Sequence, residues 1–270
     1  MTLSPAVTAR IGVAGCGRMG GPMLDALRAA GFDAIGFDVV STPYEGVTSD
    51  AAAFRAHVEI LIAVVRDIEQ TDAALFETQG FATAPNLKQI IVCSTLSPRY
   101  VRALRDRVPP HVSLIDAPMS GAQNAAQNAS LSFMLGGNRA ELDAAQPLFN
   151  AMGKHFHHMG KFGNGMQAKV LNNLLAASHT AMTRLVLDWA DDAGLDSNKL
   201  LDLIHTSSGQ NWLASGFNEI EFAKHGHAPD NSIGILVKDV QSALDAAPEG
   251  ADTTLPETVQ ARIRALTSRN

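Results

Sequence analysis

The feature that most constrains this chain is a glycine-rich turn close to its first residues. In the stretch RIGVAGCGRMGGPMLDALRAAGF, Gly15, Gly17 and Gly20 have the spacing G-x-G-x-x-G. The apolar run before the turn predicts a strand at Arg10–Ala14, and the amphipathic run after it predicts a helix at Met19–Ala30. A strand that leads through such a turn directly into a helix is typical of a β-α-β unit with parallel strands.

The next strand pattern supplies the acid that completes a dinucleotide-binding fingerprint. Strand Ala34–Asp38 ends in Asp38, which is 18 residues beyond Gly20. In such sites the first glycine permits a tight turn, the second lets a pyrophosphate approach the backbone, and the third allows close helix–strand packing. The start of the helix attracts the phosphates with its N–H groups. The sequence therefore predicts cofactor contacts from Gly15, Gly17, Arg18, Met19, Gly20 and Asp38.

Asp38 also indicates which dinucleotide the site prefers. A carboxylate at this position binds both ribose hydroxyls of NAD and repels the 2′-phosphate of NADP. The residues that follow, Val39, Val40 and Ser41, supply no arginine that could pair with such a phosphate. We therefore expect NAD as the preferred cofactor, with NADP as the alternative.

Composition and charge exclude several classes of protein. Of the 270 residues 46% are hydrophobic and 18% are charged, which predicts a sizeable core, and a net charge of −6 argues against a nucleic-acid-binding protein. The first residues lack a signal-peptide pattern, and no apolar run approaches the roughly 20 residues that cross a bilayer. Cys16 and Cys93 form neither a CxxC nor a zinc pattern. We expect a cytoplasmic protein with no membrane partner, no nucleic acid and no metal.

Strand and helix patterns alternate in the first part of the chain and give way to helices after residue 160. Further strands are predicted at Val58–Val65, Gln89–Ser94, Val112–Asp116, Leu131–Leu135 and Lys154–Met159, and further helices at Glu69–Phe76, Pro98–Arg107 and Arg139–Asn150. A long helix from Met166 to about Ala193 follows, ended by Gly194, and then helices at Ser197–Thr206, Trp212–Lys224, Ile233–Ala247 and Pro256–Thr267. The predicted fold is α/β: a Rossmann-type dinucleotide-binding domain at residues 1–161, with a mostly parallel sheet, followed by an all-helical domain at residues 162–270 that begins with a long interdomain helix.

Two classes of dinucleotide-dependent enzyme are excluded by their own motifs. Short-chain dehydrogenases carry a Tyr-x-x-x-Lys motif, and neither tyrosine of this chain is followed by lysine four residues later. The cysteine spacing excludes a zinc alcohol dehydrogenase. The run His155, His157 and His158 is predicted to lie on a surface or interdomain strand rather than to bind a metal, because no carboxylate lies near it in the sequence.

Two polar stretches are candidates for chemistry. In DAPMSGAQ, Ser120 and Gly121 follow strand Val112–Asp116 at its carboxyl end, where open α/β sheets bind ligands. A serine hydroxyl and exposed N–H groups suit a small carboxylate, with a plain turn as the alternative. In GMQAKVLNNLL, Lys169 and Asn173 lie one turn apart on one face of an otherwise apolar helix. A surface lysine with an extended stem is the alternative there.

Four motifs, in this order, resemble the β-hydroxyacid dehydrogenase family, whose members include 3-hydroxyisobutyrate dehydrogenase, tartronate semialdehyde reductase and L-threonate dehydrogenase. They are the glycine fingerprint Gly15–Gly20, the family's substrate loop DAPVSGG, which appears here as DAPMSGA at Asp116–Ala122, the motif G-x-x-G-x-G-x-x-x-K-x-x-N-N at Gly160–Asn173, and the pair Lys238-Asp239. The matches span residues 10 to about 245. The chain departs from the family at Met119 (usually valine), Ala122 (usually glycine) and Val65-Arg66 (usually leucine-proline).

The resemblance implies an oxidoreductase that transfers a hydride between NAD(P) and a short β-hydroxy acid or its semialdehyde. It implies that Lys169 is the general acid/base and that the catalytic residues are Lys169, Asn173 and Ser120. Substrate contacts are implied for Ser120, Gly121, Asn173 and Thr95, and further cofactor contacts for Val64, Val65, Thr95 and Lys238. Because the helical domain commonly forms the dimer contact in the family, a homodimer or homotetramer is implied as well.

Two other functions stay open at this point. An imine reductase resembles the family in fold but usually lacks the lysine, so Lys169 argues against it. A non-catalytic NAD(P)-binding regulator is the second alternative. The set Ser120, Lys169 and Asn173 argues against it, because a protein that only binds the cofactor has no need of these three groups.

Overall fold

The structure, a computed structural model, describes residues 8–269. They divide into two compact units, the first ending at Lys169 and the second beginning at Val170. The domain limits predicted from the sequence, 1–161 and 162–270, stay a prediction. In the described part of the chain none of the helices is long and apolar enough to cross a membrane.

The first unit is built on one sheet, which contains nine strands within residues 8–269. They are β1 (Ile11–Ala14), β2 (Ala34–Phe37), β3 (Val47–Thr48), β4 (Ile60–Ala63), β5 (Gln89–Val92), β6 (Ser113–Asp116), β7 (Met119–Ser120), β8 (Leu131–Gly136) and β9 (Gly153–Gly160). Their order is β3-β2-β1-β4-β5-β6-β8-β7, and β9 pairs with β8. Strands β1 to β6 are mutually parallel, whereas β8 is antiparallel to β6 and β7. The mostly parallel sheet and the Rossmann-type fold are confirmed.

Helices connect the strands and then continue without strands to the end of the described chain. They are α1 (Gly20–Ala29), α2 (Ala51–His57), α3 (Ile68–Leu75), α4 (Pro98–Arg107), α5 (Ala122–Gln127), α6 (Arg139–Met152), α7 (Asn164–Asp192), α8 (Ser197–His205), α9 (Trp212–Ser215), α10 (Ser232–Asp245) and α11 (Thr254–Arg264). Several begin where a short polar side chain accepts a first-turn N–H, as Asp50 does for α2 and Ser97 for α4. The long helix expected after residue 160 is α7.

The core of the first unit lies on both faces of the sheet. Successive residues of each central strand enter different clusters: Val13 and Ile62 belong to one, and their neighbours Ala14 and Leu61 belong to the other. This alternation follows from the two-residue period of a strand. Burial on both faces is what the near-continuous apolar runs of these strands predict, because a parallel sheet is covered by helices on each side.

One predicted helix is wrong. Of the segment Trp212–Lys224 only α9 is helical, Gly216 follows its last residue, and the remainder is mostly turns. Glycine disfavours a helix by about 1 kcal/mol relative to alanine. The apolar side chains of Phe217 and Ala223 pack in a cluster with Leu201 although they lie in turns. Their burial explains why the segment is apolar enough to resemble a helix.

Five short elements were not predicted: β3, α2, β7, α5 and a 3₁₀ helix at Phe81–Thr83. Each has between two and seven residues. A periodic apolar pattern needs about 11 residues to be read in a helix, and a two-residue strand has no pattern of its own.

In the second unit the largest buried side chain is a charged one. Arg184, on α7, is 2% exposed. Its Nη1 donates to the carbonyls of Ala223 and His225, both at 2.9 Å, and its Nη2 donates to that of Thr267 at 2.5 Å. The guanidinium therefore holds two chain segments without regular structure against α7.

We expect Arg184→Lys to destabilise the protein. An ammonium on a shorter stem cannot reach three carbonyls held by a planar guanidinium, and each buried acceptor left unpaired costs about 1–3 kcal/mol. The expected loss in the free energy of unfolding is about 2–4 kcal/mol, measured by urea titration followed by circular dichroism. Arg139→Lys is the control, because Arg139 is exposed and pairs with the exposed Asp143 along α6. Equal stability of the two variants would contradict this role.

Candidate active site

The glycine turn after β1 brings three backbone segments into close contact. Gly15 has φ +91°, and a Cβ built on it would lie 2.7 Å from the carbonyl oxygen of Val64, at the end of the neighbouring strand. A Cβ on Gly20 would lie 1.9 Å from the carbonyl oxygen of Gly15. Around Gly17, by contrast, a Cβ would meet nothing within 4 Å. The turn thus has glycine where packing demands it, and open space where a pyrophosphate would approach.

Helix α1 begins directly behind this turn. Met19 occupies its N-cap position and has only a thioether, a weak acceptor, to offer the first-turn N–H groups. The turn lies between β1 and β4, and β2 lies on the other side of β1. Strands β2 and β3 are added on one side of β1, and β4 to β6 on its other side. The position between β1 and β4 is therefore the topological switch point, at which open α/β sheets bind ligands.

Asp38 follows β2 and reaches back to the glycine turn. Its Oδ2 accepts the N–H of Cys16 at 2.8 Å, and its Oδ1 accepts that of Val40 at 3.1 Å. The carboxylate is half-buried and fixed in direction beside the turn. Val39 and Val40, which follow it, are 70% and 65% exposed. Burial, and then the charge of Asp38, raises the pKa of the Cys16 thiol to about 12, so Cys16 is a protonated packing residue and not a nucleophile.

The other predicted cofactor contacts from the first unit follow the neighbouring strands. Val64 and Val65 come directly after β4, and the Val64 N–H donates to the Ala14 carbonyl at 2.8 Å. Thr95 comes three residues after β5 and is half-buried. All three lie on the carboxyl-end side of the sheet, as does the glycine turn.

The loop after β6 forms the short strand β7 and then turns sharply into α5. Ser120 ends β7 and is half-buried, while Gly121 is exposed with φ +134°. Ala122 has φ +52°, a left-handed conformation that is strained for any residue with a Cβ. This is the position where the family usually has a second glycine. Gln123, one residue on, accepts the Arg18 Nε–H at 3.2 Å and so joins this loop to the glycine turn; sequence reasoning did not identify that contact.

Lys169 and Ser120 are brought together. The Lys169 Nζ donates to the Ser120 Oγ at 3.1 Å, although the two residues are 49 positions apart. The lysine is 7% exposed. The alternative of a surface lysine is therefore wrong for Lys169. A buried amine beside a hydroxyl is equipped to exchange a proton with a bound oxygen atom.

Asn173 belongs to a second polar group, four residues further along α7. Its Nδ2 donates to the Oδ2 of Asp239 at 2.5 Å, and its Oδ1 accepts from the Nδ2 of Asn172 at 3.3 Å. Asp239 is 2% exposed, and its Oδ1 lies 2.9 Å from the Nζ of Lys238. The predicted residues Asn173 and Lys238 thus share one carboxylate. Asp239 was recognised in the sequence as part of the Lys238-Asp239 motif, without a role of its own. Its contact with Asn173 joins residues 66 positions apart, and no local sequence pattern predicts such a contact.

The three histidines at 155, 157 and 158 lie on β9 and are exposed. Within residues 8–269 no group of three or more histidine, cysteine or acidic side chains could hold a metal ion.

Known proteins resemble both units. Residues 10–160 match the sequence model of the NAD binding domain of 6-phosphogluconate dehydrogenase. Residues 163–269 match that of the NAD-binding region of NADP-dependent 3-hydroxyisobutyrate dehydrogenase.

Individual relatives cover nearly the whole chain. NAD-dependent L-serine dehydrogenase from Pseudomonas aeruginosa is 30% identical over 264 residues, which cover 91% of this chain and 87% of the relative. Mitochondrial 3-hydroxyisobutyrate dehydrogenase from Drosophila melanogaster is 29% identical over 252 residues, with 88% and 77% covered. The solved structure of Mycobacterium tuberculosis 3-hydroxyisobutyrate dehydrogenase with L-serine is 26% identical, with a TM-score of 0.77 and 94% and 92% covered.

We expect Ala122→Gly to stabilise the protein. Glycine adopts the left-handed conformation without strain, and relief of that strain is worth about 1 kcal/mol, or roughly 2–4 °C in Tm. Ala125→Gly is the control, because Ala125 lies within α5, where glycine costs about 1 kcal/mol instead. Differential scanning calorimetry of the two variants checks this. A lower Tm for Ala122→Gly would show that the turn does not carry the strain.

Proposed function

Since this chain belongs to the β-hydroxyacid dehydrogenase family, we propose that Lys169 exchanges the proton in its reaction and that Ser120 and Asn173 orient the substrate. The protein is an NAD(P)-dependent oxidoreductase that acts on β-hydroxy acids. The preference for short substrates and for NAD, and the roles of individual residues, are part of the proposal.

The proton chemistry assigns a separate task to each group. A bound nicotinamide would supply the hydride acceptor for oxidation of the carbinol carbon and the hydride donor for the reverse reduction. During oxidation the neutral amine of Lys169 takes the hydroxyl proton, and during reduction its ammonium returns that proton to the carbonyl oxygen. The atoms balance, because the substrate loses one hydride and one proton and becomes a carbonyl compound.

The observation that carries this proposal is the hydrogen bond from the Lys169 Nζ to the Ser120 Oγ at 3.1 Å. Both side chains are held by regular elements, α7 and β7, so a substrate oxygen would meet an amine of fixed position. Burial also keeps water from competing for the proton.

Asn173 is suited to hold the substrate because its amide is fixed from two sides. Asp239 accepts from its Nδ2, and Asn172 donates to its Oδ1. On α7 it lies one turn beyond Lys169, so both side chains leave the same helix face. For the substrate carboxylate we propose the Ser120 hydroxyl and the exposed backbone of Gly121, as the family motif implies.

The preference for NAD follows from the carboxylate of Asp38. It is fixed beside the glycine turn by the Cys16 and Val40 N–H groups. From there it would accept hydrogen bonds from the two ribose hydroxyls and repel a 2′-phosphate. A cytoplasmic location and a homodimer or homotetramer stay predictions.

We expect Lys169→Met to lower kcat about 100- to 10,000-fold, the usual effect of losing a general acid/base. Turnover is measured on a panel of 3-hydroxyisobutyrate, L-serine, threonate and glycerate, and NADH binding by fluorescence titration is expected to stay unchanged. Lys154→Met is the control, because Lys154 is exposed on β9. Near-wild-type turnover of Lys169→Met on the best substrate would refute the role of the lysine.

We expect Asp38→Ser to weaken the preference for NAD over NADP. Loss of charge-assisted hydrogen bonds worth about 1.5–3 kcal/mol, together with loss of the repulsion, should reduce the ratio of kcat/KM values about 10- to 100-fold. The measurement is steady-state kinetics with each cofactor. Asp33→Ser serves as the control, since Asp33 is an exposed acid at the opposite end of β2. An unchanged ratio would exclude Asp38 as the selecting group.

A further inference from the structure

A buried acid outside the residues assigned above lies at the junction of the two catalytic segments. Asp116 ends β6 and is 0% exposed. Its Oδ1 accepts the backbone N–H of Gly163 at 2.7 Å, and its Oδ2 accepts that of Met166 at 2.5 Å. These N–H groups belong to the first turn of α7 and the residue before it, where a helix has donors without partners of its own. The side chain of Asp116 therefore caps the helix that carries Lys169.

Two glycines leave room for this carboxylate. A Cβ built on Gly136 would lie 2.2 Å from the Asp116 Oδ1. A Cβ on Gly165 would lie 2.3 Å from the Met134 carbonyl and 3.0 Å from the Asp116 Oδ2. Gly163, which donates to the carboxylate, has φ +89°. Within the motif at residues 160–173, Gly165 thus leaves room for Asp116, and Gly163 donates its N–H to it.

The position of Asp116 connects it to both ends of the catalytic hydrogen bond. Ser120 lies four residues after Asp116 on the same chain segment, and Lys169 lies three residues, about one helical turn, after Met166. The carboxylate therefore fixes the start of α7 to the segment that carries Ser120. We propose that Asp116 is a positioning residue for the reaction, holding the Lys169 amine beside Ser120, where it can exchange a proton with a bound substrate oxygen. This inference rests on the proposed role of Lys169.

Only the ionised carboxylate supplies two acceptor atoms to the two N–H groups. A protonated acid or an amide would turn a donor towards one of them, and the negative charge also suits the positive end of the helix dipole. The titratable and charged groups that face Asp116 from neighbouring elements are Cys93, after β5, and Arg102, on α4. The thiol is itself buried and protonated, since burial and Asp116 raise its pKa.

Protonation of Asp116 falls in an accessible pH range. Burial raises its pKa to about 6, against the lowering effect of the Gly163 and Met166 N–H groups and of Arg102. In the direction of carbonyl reduction Lys169 must carry its proton, so acidification cannot remove the acid catalyst. A loss of reduction rate below about pH 6 would therefore report on the positioning carboxylate.

The contribution of Asp116 to the stability of the fold is expected to increase on acidification, whereas the reduction rate falls. Because the pKa of Asp116 is higher in the folded state, about 6, than its ordinary value of 3.8, folding takes up a proton between these pH values. The wild type should therefore gain stability relative to Asp116→Asn as the pH falls from 6 towards 4. Titration of Asp116 therefore does not destabilise the wild type, so a loss of activity caused by protonation of Asp116 is not a loss of folding.

The test compares wild type and Asp116→Asn in NADH-dependent reduction of the best semialdehyde between pH 7.5 and 5. We expect the wild-type kcat to fall with a midpoint near pH 6. We expect Asp116→Asn to show a flat profile with kcat lowered about 10- to 100-fold, the scale of a small misplacement of a catalytic group. NADH affinity should be the same within about twofold, since this carboxylate caps α7 and not α1.

Asp50→Asn is the matched control, because Asp50 accepts two N–H groups at the start of α2, at 2.9 and 3.1 Å. It should lose some stability but keep the wild-type pH profile. A wild-type profile without an acid limb, or the same limb in Asp116→Asn, would overturn the inference. If Asp116→Asn does not fold, the wild-type profile is measured together with NADH binding at pH 5. An acid limb with intact NADH binding supports the inference, and the absence of an acid limb overturns it. Full turnover of Lys169→Met would instead refute the proposed function, whatever the profile of Asp116→Asn.

Discussion

Two N–H groups at the start of α7 donate to the buried carboxylate of Asp116, and this contact fixes the start of the helix that carries Lys169. The start of α1, in contrast, has no side-chain cap of this kind. At α1 the side chain of the N-cap residue, Met19, accepts no first-turn N–H, and the space around Gly17 is open, which suits the phosphate of a bound cofactor. In the function proposed above, one helix start binds an anion that the protein carries, and the other binds an anion that arrives with the cofactor.

Glycine has the same purpose at both helix starts. At α1, Gly20 lets the helix approach the Gly15 carbonyl, and at α7, Gly165 lets it approach the Met134 carbonyl and Asp116. In each case the backbone of a helix lies against the end of a strand without an intervening side chain. Both close approaches lie at the carboxyl ends of β1 and β6, the side of an open α/β sheet on which ligands bind.

The sequence was sufficient for the fold, and insufficient for the contacts that the proposed site residues make. The glycine spacing and the buried apolar runs give the order of strands and helices, because both are local signals. The helix expected at Trp212–Lys224 failed since Gly216 interrupts it and tertiary packing uses Phe217 and Ala223 in turns. The contact of Asn173 with Asp239 joins residues 66 positions apart, and no local pattern predicts such a pairing.

The polar residues of GMQAKVLNNLL can now be understood as a preorganised set. The Lys169 amine has the Ser120 hydroxyl as a partner, and the Asn173 amide has Asp239 and Asn172. Buried polar groups of this kind are costly when unpaired and rigid when paired. These contacts lie within the protein itself, so folding directs both side chains. In the proposed function this ordering reduces the reorganisation required in the transition state.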